Sequence, residues 1–126
     1  MKKLLLFVAL MIATGVVSAQ SYTQKWNSYL NRTEFYDANG NMVGYAKENT
    51  YLNRIEYYNS YGTLIKTESK NQYLDREDIK DSQGNVIGYR KWNEYLERYE
   101  VYNASGTMVG YYKYSTYLNR WEYHEL

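Results

Sequence analysis

The chain has 126 residues, no cysteine, no proline, one histidine and 18 tyrosines, and its 15 basic residues stand against 14 acidic ones. Near-neutrality excludes the basic stripe of a nucleic-acid binder, and the lack of cysteine excludes a disulfide framework, a thiol nucleophile and a thiolate metal site. His124, third from the end, is placed for a frayed strand rather than a catalytic centre.

The first element is a leader. Met1-Lys2-Lys3 gives a short positive region, residues 4–17 form an almost unbroken apolar run, and Val17-Ser18-Ala19 offers compact residues for cleavage. The pattern predicts a helical signal peptide over residues 1–19, of bacterial export type. The run is shorter than the roughly 20 residues of a bilayer-spanning helix, so no stable membrane span is expected after cleavage. The expected location is secreted, periplasmic or at the cell surface. Once Lys2 and Lys3 leave with the leader, the 15 basic residues become 13 against 14 acidic ones.

Residues 20–126 read as one β-repeat domain with a period of 22 residues. Tyr-Leu returns at Tyr29, Tyr51, Tyr73, Tyr95 and Tyr117. A partial copy (22–28) precedes four full ones (29–50, 51–72, 73–94 and 95–116), and a second partial copy (117–126) follows. Each copy holds two runs rich in aromatic and β-branched residues around a cluster of turn formers. The turn opens on Asp37, Asn59, Asp81 or Asn103 and carries Gly40, Gly62, Gly84 or Gly106 three residues later. That is the chemistry of a type I turn with a glycine in the left-handed region. Asn-centred links (Asn49-Thr50, Asn71-Gln72, Asn93-Glu94) and Ser115-Thr116 join the copies. The expected fold is all-β: an antiparallel meander of about ten short strands, two per copy and one at each end, in one twisted, coiled sheet.

Counting from the glycine turn sets Phe35 beside Val43, Thr33 beside Tyr45, Tyr57 beside Ile65, Ile79 beside Ile87 and Val101 beside Val109, as an apolar face. The other face is expected to carry a ladder of arginine and acid two residues apart: Arg32 and Glu34, Arg54 and Glu56, Arg76 and Asp78, Arg98 and Glu100, Arg120 and Glu122. Gly44, Gly88 and Gly110 are expected on that ladder face, with Lys66 as the exception in the series. Structural pairing is the expected role of the ladder, because every arginine has its acid.

Tyrosine suits a thin sheet, its ring packing while its hydroxyl reaches water, and the repeated tyrosines (Tyr29, Tyr45 and their equivalents) are expected to pack across strands. Trp26, Trp92 and Tyr114 share a repeat position with Glu48 and Lys70. A position that accepts Trp, Glu and Lys is an exposed one, so these three rings are the candidate binding surface. Asp37-x-Asn39-x-Asn41 has the opening of a calcium loop without its glycine and distal glutamate, and reads as a turn. No metal or cofactor is expected.

The stretch Tyr36-Asp-Ala-Asn-Gly-Asn-Met-Val resembles the turn of YD repeats, the tandem hairpins of bacterial surface and toxin shells. Tyr57-Tyr-Asn-Ser-Tyr-Gly-Thr-Leu-Ile is similar to MORN repeats, antiparallel meanders used as interaction scaffolds. Tyr99-Glu-Val-Tyr-Asn-Ala-Ser-Gly-Thr-Met-Val-Gly-Tyr resembles choline- and cell-wall-binding repeats. Together with the absence of a catalytic constellation, these likenesses imply an exported, non-enzymatic interaction or scaffold module. Its expected partner is a protein, or another copy paired through the sheet edges. The alternative is a module that binds envelope glycan through its exposed Trp and Tyr rings.

Overall fold

The computed structural model describes residues 23–126; the signal peptide expected over residues 1–19 lies outside the described residues. The described chain is all-β. Ten strands follow one another as β1 (Thr23–Asn27), β2 (Arg32–Tyr36), β3 (Met42–Asn49), β4 (Arg54–Asn59), β5 (Leu64–Asn71), β6 (Arg76–Asp81), β7 (Val86–Asn93), β8 (Arg98–Asn103), β9 (Met108–Ser115) and β10 (Arg120–Glu125). They form a single open antiparallel sheet in sequence order, a meander of tandem hairpins.

The turns inside the copies have the expected chemistry. Gly40, Gly62, Gly84 and Gly106 take φ between 83° and 92°, and the Gly40 amide donates to the Asp37 carbonyl at 3.1 Å. The Asp37 carboxylate accepts from the Asn39 and Asn41 amides at 2.9 Å each, so one of its oxygens closes the turn. Asn59, Asp81 and Asn103 do the same in the later copies.

The register beyond the turn differs from the expected one. Tyr36 pairs with Met42, but Phe35 pairs with Gly44, because Val43 is an extra, bulged residue. Ile65, Ile87 and Val109 bulge at the same place in the other copies. Each bulge turns the rest of its strand over. Gly44, Gly88 and Gly110 therefore share a face with Phe35, Ile79 and Val101, and Tyr45 shares one with Arg32 and Glu34. The glycine at this point serves a close backbone approach: a Cβ on Gly88 would lie 2.6 Å from the Tyr102 carbonyl oxygen.

A bulge bends its strand and sharpens the local twist, and four in equivalent places bend the sheet in one sense. Phe35, Ala46 and Tyr57 have no exposed surface, and Ile79 and Val101 almost none, although the described residues form a single layer. Arg90 of β7 and Tyr112 of β9 act electrostatically on the Tyr57 hydroxyl of β4, across three and five strands of the sheet order. The sheet is thus curled, with the Phe35 face inside. Val43, Ile55 and Ile65 pad one end of the interior, and Tyr99, Val109, Trp121 and Tyr123 the other.

Candidate functional site

Three groups of side chains carry chemistry: a ladder on the outer face, a charged cluster in the interior, and the loops between copies.

The ladder is a fully engaged structural unit. Glu34 accepts hydrogen bonds from Arg32 Nε at 2.8 Å, Asn27 Nδ2 at 2.9 Å and the Tyr36 hydroxyl at 2.7 Å. Glu56 and Glu100 repeat that arrangement with Asn49, Arg54 and Tyr58, and with Asn93, Arg98 and Tyr102. Asp78 is held by Asn71 and Arg76, and Glu122 by Arg120, the most exposed pair of the ladder series. Burial pushes the Glu56 carboxyl up, but the bonds from Tyr58, Arg54 and Asn49 outweigh it and hold the group below the ordinary carboxylate range. Burial, then the bond to Glu56, pushes the Tyr58 hydroxyl up to about 12.

The arginines also lie over rings, Arg32 on Tyr45 at 4.0 Å, Arg76 on Tyr89 at 3.9 Å and Arg98 on Tyr111 at 4.1 Å. Those rings stack in turn on Tyr58, Tyr102 and His124 at 4.9 to 5.0 Å. The guanidinium groups of Arg32, Arg76 and Arg98 are therefore each held between an acid and a ring, and the lone histidine is a stacking partner.

The interior cluster comes from a break in the repeat. Where three copies read Gly44-Tyr45-Ala46, Gly88-Tyr89-Arg90 and Gly110-Tyr111-Tyr112, the copy 51–72 reads Lys66-Thr67-Glu68. Lys66 and Glu68 are 2% and 1% exposed. Glu68 accepts from Arg90 Nη1 at 2.7 Å and from the Tyr57 hydroxyl at 3.2 Å, and its other oxygen lies 3.6 Å from Lys66 Nζ. The ammonium also sits 4.4 Å from the centre of the Tyr57 ring. Two cations thus share one carboxylate. Burial lowers the Lys66 amine to about 8, with Glu68 opposing and Arg90 assisting that shift.

The loops between copies are fixed by two devices. The side-chain oxygens of Asn27, Asn49, Asn71 and Asn93 accept from the amides of Leu30, Leu52, Leu74 and Leu96 at 2.9 to 3.0 Å, and Ser115 does so for Leu118 at 3.1 Å. Asn31, Asn53, Asp75, Glu97 and Asn119 close the loops with φ between 52° and 57°, a region that Asn and Asp enter more readily than most residues. The Asn side-chain amide meanwhile donates to the ladder acid, so loop and ladder hold each other.

Tyr29, Tyr51, Tyr73, Tyr95 and Tyr117 stand at the tips of these loops, 93 to 99% exposed, beside leucines that are 39 to 50% exposed. The expected cross-strand packing of Tyr29 and its equivalents is therefore overturned: they belong to capped loops, which offer no facing strand. Tyr45 and its equivalents do pack, against the next strand.

The rings singled out in the sequence separate into two places. Trp92 contacts Tyr99 at 4.8 Å, Tyr99 contacts Trp121 at 5.5 Å, and Trp121 contacts Tyr114 at 5.6 Å, making one run of rings. Tyr114 also donates its hydroxyl to Asn119. Trp26 of β1 pairs with Thr33 of β2, at the other end of the array. Tyr99 and Trp121 were missed because their copy-equivalents are Thr33, Ile55 and Glu77, which give no sign of an aromatic position. No known family model, curated protein or solved structure matches the chain.

Proposed function

We propose that the protein is an exported, non-enzymatic repeat module that binds a protein partner, another copy of the chain included, through the Tyr-Leu loops, in the cell envelope or outside the cell. One observation carries the reading. Every loop carries a tyrosine at nearly full exposure beside a half-exposed leucine, while the interior position changes from Ala46 to Glu68 to Arg90 to Tyr112. Folding alone would favour the reverse, with uniform buried residues and drifting exposed ones. Exposed tyrosine is a typical anchor of protein interfaces, and repeats present the same anchor several times to a large partner. The likeness of the turns to YD and MORN repeats agrees with a scaffold role.

The test is a photo-crosslinkable residue at position 73, compared with the same residue at position 83 among the polar turns. The reading expects stoichiometric protein crosslinks from position 73 alone. Equal labelling from both positions would refute it.

A second reading, glycan binding, rests on the run Trp92, Tyr99, Trp121 and Tyr114. It expects envelope glycans to quench tryptophan fluorescence and Trp92→Ala to weaken binding, by about 1 kcal/mol for one lost ring contact. Unchanged fluorescence across a glycan series would remove it.

A further inference from the structure

Resting on the reading of the loops as a protein-binding surface, we propose that their partner is a second copy of this chain, related by a two-fold axis at Tyr73-Leu74. Adjacent loops are two strands apart, roughly 10 Å at the ordinary strand spacing. A partner that engages each tip alike must offer matching chemistry at that interval, and a second copy does so without further specification. Each tip carries one ring and one branched aliphatic side chain, so two tips meeting head-on place each tyrosine on the opposite leucine. Such a reciprocal exchange is the defining property of a two-fold interface.

The row has five members and reads alike in both directions. The Tyr29-Leu30 tip then faces the Tyr117-Leu118 tip of the second copy, Tyr51-Leu52 faces Tyr95-Leu96, and the Tyr73-Leu74 tip meets its own counterpart.

Charge selects this reversed order over a parallel one. The acids in the loops are Asp75, Glu94 and Glu97. Asp75 is paired with Lys70 of its own chain at 3.0 Å. Reversal places Glu94 and Glu97 against the loop of Thr50 and Asn53, which carries no charge. Parallel order would set the two glutamates against themselves. The area is also sufficient: a buried aromatic covers about 150–250 Å², so five tyrosines per chain come to roughly 2,000 Å² for the pair. That lies in the range of stable interfaces, about 1,200–2,000 Å².

The experiment is sedimentation velocity on the mature chain, on the triple variant Tyr51→Ser/Tyr73→Ser/Tyr95→Ser, and on Thr50→Arg. All four substituted side chains are exposed, so circular dichroism and thermal midpoint serve to verify that each variant is folded. The wild type is expected to be dimeric at micromolar concentration. The triple variant is expected to dissociate about 100-fold or more readily, the loss of at least two interface anchors. Thr50→Arg is expected to tighten the dimer several-fold by meeting Glu94 and Glu97 of the second copy. A wild-type monomer overturns the second-copy inference, and the crosslinks from position 73 then decide the broader reading separately: they identify another protein, or that reading falls too. A dimer untouched by the triple variant places the interface elsewhere and overturns the inference. A monomer that binds lipid vesicles through the same tyrosines overturns it in favour of a membrane surface.

Discussion

The curled interior and the loops between copies obey opposite rules. In the interior, equivalent positions carry Ala46, Glu68, Arg90 and Tyr112, and the neighbouring glycine series is broken by Lys66. At the loop tips, every copy carries Tyr-Leu, although the tyrosine rings stand in solvent. The interior varies because it is asymmetric: each copy meets different neighbours across the curl, and Glu68 fits its place only because Arg90, Tyr57 and Lys66 converge there. The tips are uniform although their tyrosines are 93 to 99% exposed. The difference teaches that repetition in this chain preserves a surface more strictly than a core.

The largest expected effect lies in the interior. Glu68→Ala leaves Arg90 and Lys66 facing each other without their carboxylate, and breaking such a buried pair costs about 3–5 kcal/mol. Chemical denaturation reads this directly, and a loss no larger than that of a surface substitution would show that the cluster is wet and not buried. Next in size, Gly84→Val forces a β-branched residue to φ +92°, a strain of about 1–3 kcal/mol. No atom lies within 4 Å of the added Cβ, so the cost is in the backbone; Gly84→Asn should recover much of it, since Asn tolerates that region.

Lys66→Met acts in the other direction. It removes the surplus cation and leaves Glu68 paired with Arg90, which should raise stability at neutral pH by about 1 kcal/mol. Lys66 titrates near 8 when folded against 10.5 ordinarily. Between these values the unfolded chain holds a proton that the folded chain has released, so wild-type stability should climb as pH rises from 8 towards 10. The variant should lose that climb, and an identical pH profile in both proteins would contradict the burial of the charged amine.

Much of this contrast was legible in the sequence. The period, the strands, the Asx and glycine turns and the Arg-acid ladder all rest on local residue chemistry, which repeats with the copies. The bulges at Val43, Ile65, Ile87 and Val109 were not legible, because a bulged residue looks like any apolar strand residue. One unread bulge reverses every face after it. For that reason Gly44 and Tyr45 were expected on the wrong sides, and Lys66, the exception in the glycine series, was expected on the ladder face when it lies in the core. The exposure of Tyr29 and its equivalents had a usable signal: each lies two residues after an Asn or Ser that caps the loop, where no partner strand runs.

The smallest expected effect on stability belongs to the tips, and it tests the central claim most directly. The Tyr51→Ser/Tyr73→Ser/Tyr95→Ser protein should unfold within about 0.5 kcal/mol of the wild type per site, the range of surface substitutions, after allowing for association by measuring both at a concentration where the wild type is monomeric. In the same sample series its self-association should be lost. A clearly lowered stability in the monomer, or association that survives the three substitutions, would contradict the claim that these residues are kept for binding and not for the fold.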